Sequence, residues 1–540
     1  HCGRSGWGVQ LANTGTDLAA DDKHIRRNHA NRSGRFRALI AATREAESSD
    51  DLNNPDNTDS RLVWFDAPAR SFTTQRPEPD DDDYRAGLIL PVLMLTGDEA
   101  DQQSKADECP SCGKSDAIRF LGSAVATLIS VTMSNLFGAA NVDPSDKKAL
   151  VFADSVQDAA HYAGFISARS HSITLRAVLR EGLADGPQTL PELTSRVLEL
   201  AWGDRFRRYR ILPNELAGDP GMAPFWTSAN KSGIPISVRT KARNRLEFDA
   251  NLEFGLSGSF GRTLERTGSA WAQVGTPAPA ALAELARQVL AEVDQDRLDA
   301  PLAAADDELL VRWVRGVLER MRTQGAIDHP WFAPFITGDG NRFFLWGGRK
   351  RNVGMPAFPT GRATPGFPYI GGSPAPVGKG NSSKTMLLEP VAGSRSWYAD
   401  WTRKVLQVPA GLGGVLAKEL LIRLSTAGIL DTASTKQGRT VFKIPPDRLV
   451  VGPVAAEDLA RRKVLLRCDI CRTPYSGGPE TVAALADGPC MSLRCAGHLR
   501  REAGDPDNAY RKLYESSDMR KVVSREHTSL LSNATRAEYE

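Results

Sequence analysis

The 540 residues hold no complete phosphate-binding loop. Gly378-Lys379-Gly380 comes nearest, but its spacing back to Gly372 is one residue too long. Gly380 also stands where a magnesium-holding Ser or Thr is needed, and no hydrophobic strand precedes it. No HxE motif or carboxylate cluster accompanies the cysteines, which argues against a metal-dependent nuclease or deaminase. Charge excess is missing as well: 68 basic against 65 acidic residues leave +3, so any basic surface is local. The longest apolar stretch, Phe120–Phe137, is interrupted by Ser123, Thr127, Ser130, Thr132, Ser134 and Asn135. It reads as a buried small-residue helix and not as a membrane span. No signal-peptide pattern opens the chain. The reading is therefore cytoplasmic, without a membrane partner, and its cysteines favour metal over disulfide. A start at His1 and a charged, helix-like run up to Glu540 read as an excerpt of a longer polypeptide with more than one domain.

The sharpest pattern present is Cys468-x2-Cys471, eighteen residues, then Cys490-x4-Cys495. Four thiolates in two close pairs, joined by a loop containing Gly and Pro, match a closed tetrahedral zinc site that stabilises a small fold. Arg472 stands where a knuckle glycine usually follows, and His498 is either a substitute ligand or a surface histidine. Cys109-Pro-Ser-Cys112-Gly is a second knuckle. With Cys2 and one further ligand it would complete another four-ligand zinc site; the alternative is a surface thiol beside an unrelated CxxC.

Between Cys2 and Cys109 lie a basic stretch, His24–Arg44, read as a loop entering a helix, and an acidic linker, Pro77–Asp83. Arg61–Phe65 and Gly87–Leu95 read as strands, the second at a sheet edge because of Pro91. Leu150-Val151-Phe152 reads as a short buried parallel strand, with Asp154 and Ser155 at its carboxyl end and a helix from Val156. Helices are expected over 173–210, from 236 to a glycine turn, and twice within 277–324. Phe343–Gly380 is rich in Gly, Pro and aromatics. Ser396–Val450 reads as a winged-helix module, with helices at Trp397–Leu406 and Val415–Leu430 and a strand at Thr440–Ile444. Lys418, Arg423, Lys436, Arg439 and Lys443 would meet phosphates if the module binds nucleic acid, and would not if it serves as a packing unit.

The stretch LVFADSVQDAAHYAGF resembles the opening of the second RecA-like domain in large bacterial DEAD/DEAH-box helicases of superfamily 2. These carry a C-terminal zinc-cluster domain and occur in DNA repair and in phage defence systems such as Druantia. Many relatives have Arg where this chain has Val156. Glu253-Phe254-Gly255-Leu256, Gly261-Arg262-Thr263-Leu264 and Arg525-Glu526-His527-Thr528 also resemble family stretches, in the family's order.

The resemblance implies an α/β fold with mostly helical insertions: an incomplete RecA-like parallel sheet, a winged-helix module and cysteine zinc knuckles. The implied segments are a split knuckle with a polar excursion (1–115), the start of the second RecA-like domain (116–185), a helical insertion (186–345) and a connector (346–395). A winged-helix-like module (396–455), a four-cysteine module (456–505) and a return to the RecA-like domain (506–540) follow. The implied activity is ATP-dependent translocation on nucleic acid, DNA before RNA, with ATP and Mg2+ bound by the full-length protein and defence-system proteins as partners. Strand contacts are implied at Asp154, Ser155 and Gln157, and at His527 and Thr528. The alternative is a winged-helix and zinc module that binds nucleic acid without a motor.

Overall fold

The computed structural model describes residues 6–13, 33–48, 61–113, 156–213, 219–256, 262–293, 306–346, 363–372, 387–393 and 396–516, with isolated positions between these stretches. It is a mixed α/β structure in which the sheets are small and almost wholly antiparallel.

Strands β1 (Trp7–Gln10), β2 (Phe36–Ala41), β3 (Leu62–Asp66), β4 (Ser71–Thr73) and β5 (Ile89–Leu93) form one sheet in the order β1-β2-β5-β3-β4. Alternation buries Leu39, Val63, Val92 and Met94 together, and groups Ile40 and Leu93 with Ala42 and Cys109 in another cluster. Two sequence expectations change here. Residues 36–41, expected to enter a helix, are a strand, because FRALIA alternates between two buried faces; Arg37 lies inside, 2.6 Å from Asp101 on helix α1 (Ala100–Lys105). Strand β5 is central and not an edge. Its pairing with β2 covers only Ile40↔Leu93 and Ala41↔Val92. Ala42 N–H then donates to the Pro91 carbonyl at 2.9 Å, and the reciprocal donor is the one proline lacks, so the ladder stops there.

Helix α2 (Val156–Gly182) begins where the sequence places it. The expected parallel strand at Leu150–Phe152 lies outside the described residues except for Val151, which has no strand pairing. Among the described residues, the only paired strands running parallel are two-residue partners further on, and there is no RecA-like parallel sheet.

After β6 (Gln188–Thr189), helix α3 (Leu190–Trp202) starts on a capping box: Thr189 N–H donates to Glu192 Oε2 at 2.8 Å, with Pro191 in the first turn. Helices α4 (Arg205–Ile211) and α5 (Ile236–Gly255) follow, then β7 (Ala270–Val274), α6 (Pro279–Glu292) and α7 (Asp307–Thr323).

Strands β8 (Pro368–Ile370) and β9 (Glu389–Pro390) lead into α8 (Trp397–Leu406), which is capped by Ser396. Helix α9 (Ala410–Thr426) leaves α8 through Gln407–Pro409 at a bend of 102°. It starts five residues earlier than its apolar stripe suggests. A Cβ at Gly413 would lie 2.6 Å from the Ala399 carbonyl, and one at Gly414 2.9 Å from that of Ala392. The glycines there serve close packing and not helix breaking. Strands β10 (Asp431–Ser434) and β11 (Thr440–Lys443) complete a sheet of order β10-β11-β8-β9, whose β8–β9 pair is the short parallel one. Strand β12 (Leu449–Pro453) then pairs with β7 over five residues and with β6 on its other side.

Strands β13 (Leu465–Cys468) and β14 (Pro474–Ser476), helix α10 (Pro479–Leu485) and strand β15 (Leu499–Arg501) make the last sheet, in the order β14-β13-β15. Helix α11 (Ala509–Glu515) packs back on α2. A single apolar core runs from Ile173 to Tyr514, so the expected segments from 186 to 505 share one interior. Among the described residues no single helix is long and apolar enough to cross a membrane.

Candidate metal centre

The four cysteines expected to act together do meet. Hairpin β13–β14 carries Cys468 at the end of its first strand and Cys471 in its turn, and the loop before β15 carries Cys490 and Cys495. Their sulfurs all lie within 4.8 Å of one another. The Cys468–Cys495 Sγ distance is 3.7 Å and the Cys471–Cys490 distance 3.6 Å. A disulfide would hold its sulfurs at about 2.05 Å. A tetrahedron with metal–sulfur bonds of about 2.3 Å has edges of about 3.8 Å. The donor set therefore fits a metal ion and not two disulfides.

The surroundings of the sulfurs are arranged for negative charge. Ser492 N–H points to Cys490 Sγ at 3.3 Å and Gly497 N–H to Cys495 Sγ at 3.4 Å, each donor two residues beyond its cysteine. Thr473 Oγ1 lies 3.2 Å from Cys471 Sγ, and the Tyr475 hydroxyl 3.6 Å from Cys490 Sγ. Burial, helped by the charge of Cys490, pushes the Tyr475 hydroxyl well up, so it stays a donor. Hydrogen bonds from Cys468, then Cys490 and Cys495, hold the Cys471 thiol far down. Hydrogen bonds to Cys468, Cys471 and Cys490 push the Cys495 thiol far up. Four free thiolates at this spacing would repel strongly, and a divalent cation is the chemistry that lets all four ionise. Gly497 has no alternative: a Cβ there would lie 2.5 Å from Cys468 Sγ. His498 is exposed and is not one of the group, so it takes the surface reading; its N–H donates to Asp469 Oδ1 at 2.7 Å.

This centre is tied to the body through β14. The Pro474 carbonyl accepts from Arg266, and the Ser476 carbonyl accepts from Arg322 Nη2 at 3.3 Å. Arg322 is fully buried, with both nitrogens of its fork 2.9 Å from Glu265 and its Nε 3.0 Å from Glu319. A second buried node explains the Glu253 stretch. Glu253 grips Arg176 Nε at 2.9 and 3.0 Å and accepts the Leu264 N–H at 2.8 Å, while Arg176 reaches the Tyr514 hydroxyl at 3.3 Å. Glu253 thus joins α5, α2, the 262–269 turn and α11. Nothing in the sequence announced these pairings beyond the presence of acids in apolar stretches.

The remaining expected sites are dispersed. Cys109 and Cys112 flank a turn closed by Gly113 N–H to the Cys109 carbonyl at 2.9 Å, with Gly113 at φ 66°, as a knuckle requires. Their proposed co-ligand Cys2 lies outside the described residues, as do Asp154, Ser155, His527 and Thr528; Gln157 is placed only by its backbone, in the first turn of α2. Lys418 sits 3.1 Å from Glu419, Arg423 pairs with Glu292, and Lys443 with Asp328 at 2.6 Å. Arg439, expected to reach phosphates, is instead buried, 2.7 Å from Asp339 and over the ring of Tyr369, because the β10–β11 turn, closed by the Thr435 N–H to the Arg439 carbonyl at 2.9 Å, directs it inward. Lys436, in the β10–β11 turn, is exposed.

Compared with known protein families, with curated proteins and with solved structures, the chain matches none.

Proposed function

We propose that this chain is the nucleic-acid-engaging region of an ATP-driven DNA translocase of the cytoplasm, built from a winged-helix unit and a zinc-stabilised module. The four-cysteine cluster carries the reading. Closed all-sulfur tetrahedral geometry suits zinc, without an open position for catalysis, so the ion's role is structural. Cys468, Cys471, Cys490 and Cys495 would hold it.

The winged-helix assignment is supported by the order α7, β8, β9, α8, α9, β10, β11, by the strand order β10-β11-β8 with β9 added at its edge, and by two helices meeting near a right angle across a three-residue turn. The motor assignment rests on the helicase resemblance around Val156, Glu253 and His527. In the full-length protein ATP and Mg2+ would bind elsewhere, and Asp154, Ser155, Gln157, His527 and Thr528 would track the strand. A role in phage defence, with partner proteins, or in repair follows from the same resemblance.

Helix α9 favours a packing role within that scheme. Its outward face presents Val415 and Ile422, and both of its cations are engaged by acids. The nucleic-acid contact therefore belongs elsewhere on the chain.

Elemental mass spectrometry should find zinc bound, and all of the zinc at this centre should disappear in Cys471→Ser. Fluorescence anisotropy should show binding to DNA that weakens steeply with salt. In the full-length protein, ATP hydrolysis should be stimulated by DNA. A chain that holds zinc but binds neither DNA nor RNA at low salt would refute the nucleic-acid reading; ATP hydrolysis indifferent to DNA would refute the motor and leave the binding module.

A further inference from the structure

Three arginines of the module that carries the metal centre hold backbone conformations suited to glycine. Arg462, Arg472 and Arg494 have φ of 60°, 57° and 58°. Arg462 precedes β13, Arg472 follows Cys471, and Arg494 precedes Cys495. In the left-handed region a Cβ crowds the neighbouring carbonyl, and only glycine is free of that strain. The knuckle turns at Arg472 and Arg494, and the end of the short helix Ala456–Ala460 at Arg462, need the conformation and do not need the side chain. All three side chains are exposed, so packing does not account for them. Strain is kept at the surface in four places of this small module; the fourth, Asp487 at φ 59°, is paired with Arg500, and the other three point to work done by the guanidinium groups.

Their electrostatic setting separates them from their neighbours. Lys463, Arg467 and Arg500 are neutralised by Asp458, by Glu502, and by Asp469 with Asp487. The guanidinium groups of Arg462, Arg472 and Arg494 have no acidic partner among the described residues, and neither do those of Arg461 and Arg501; the backbone N–H of Arg494 donates to Asp400 Oδ2 at 3.3 Å. The basic groups also run together: Arg501 Nη1 lies 3.5 Å from the Arg462 carbonyl, and Arg467 Nη1 3.0 Å from that of Arg472. These four follow β13 from one end to the other, about 13 Å for a four-residue strand. A planar guanidinium with five donors matches a phosphodiester better than any other side chain does.

We propose that Arg462, Arg472 and Arg494 contact the phosphate backbone of a nucleic-acid strand, on a surface whose shape is set by the metal-bound turns and by the helix end that leads into β13. The inference rests on the nucleic-acid reading above and gives it a location away from α9.

The test is the triple substitution Arg462→Gly, Arg472→Gly, Arg494→Gly, which removes the guanidinium groups and relieves the strain together. Labelled single-stranded DNA and the matching duplex are titrated by anisotropy across a salt series, beside zinc content and thermal unfolding. The triple variant should keep its zinc and melt no lower than the parent. It should bind single-stranded DNA roughly tenfold or more weakly, with the slope of log affinity against log salt flattened by about 2. A control triple, Lys463→Gln, Arg467→Gln, Arg500→Gln, removes the same formal charge from neutralised positions and should change the slope far less. If the parent binds DNA and the glycine variant binds it equally, the surface is misplaced while the nucleic-acid reading survives. A control as weak as the glycine variant also overturns the proposal, and a parent that binds no DNA overturns both. Should the triple variant lose zinc, Arg472→Gly and Arg494→Gly are read singly, each expected to flatten the slope by about 0.7.

Discussion

Glu265 makes the stability of this chain depend on pH in a direction opposite to that of most carboxylates. It is 1% exposed and shares a closed site with Arg322, Glu319 and Arg266. Burial pushes its carboxyl from the ordinary 4.5 up to about 7; Arg322 pulls it back, and the second carboxylate, Glu319, adds to the rise. The folded state therefore binds this proton more tightly than the unfolded chain does. The associated stability is full below pH 4.5 and is lost as pH climbs through about 7. At about 1.4 kcal/mol per pH unit, that interval amounts to about 3 kcal/mol. The substitution Glu265→Gln replaces the carboxyl with an amide that mimics its protonated form and still offers Arg322 an acceptor. Urea unfolding of both proteins at pH 5 and pH 8 gives a difference of differences in which every other titration, including that of the cysteines, cancels. The variant should gain roughly 2–3 kcal/mol on the parent between the two pH values. A gap that stays constant would mean that Glu265 is ionised throughout and that Arg322 alone overcomes its burial.

Three further outcomes are expected. Cys471→Ser should abolish metal binding at its centre and open residues 456–505 to limited proteolysis, because the fold of that module draws on metal–ligand bonds. Gly316→Ala drives a methyl group into the indole of Trp401, and should lower stability by about 2 kcal/mol in a denaturant titration; an unchanged midpoint would show that α7 and α8 can part without cost. Arg208 is fully buried and donates to the carbonyls of Ala201, Phe225 and Ser228 at 3.1, 2.9 and 2.7 Å, and to that of Trp202. Arg208→Leu should therefore cost about 3 kcal/mol or more, measured the same way.

What the sequence disclosed was local. The CxxC and CxxxxC pairs are short-range patterns whose chemistry is the same wherever they sit, so the metal centre was legible with all four ligands. The start of α2 and the helix pairs within 277–324 and 397–426 followed from apolar spacing. Residues 36–41 were misread because a basic run hides the alternation of FRALIA, and the start of α9 because Gly413 and Gly414 look like breakers until Ala392 and Ala399 are seen against them. Arg439 was misassigned because a cation at the end of a hairpin turn gives no sign of whether it faces solvent or the interior. The nodes at Glu253, Glu265 and Arg322 were invisible for a different reason: apart from Glu319 and Leu264, their direct partners lie 57 to 154 residues away and on other elements. The left-handed arginines could have been suspected only at Arg472, where a knuckle glycine was missed.

Helix α2 meets the far end of the chain. Arg169 bonds Tyr510, Arg176 bonds Tyr514 and Ser170 receives the N–H of Val522, across separations of 341, 338 and 352 residues. Contacts that distant in sequence raise contact order and slow folding. During synthesis α2 emerges early and must wait for more than three hundred residues before its last partner leaves the ribosome. At about 5–20 residues per second, that delay lasts tens of seconds. Through this interval α3 and α4 already pack on α2, and only the face that α11 covers stays open.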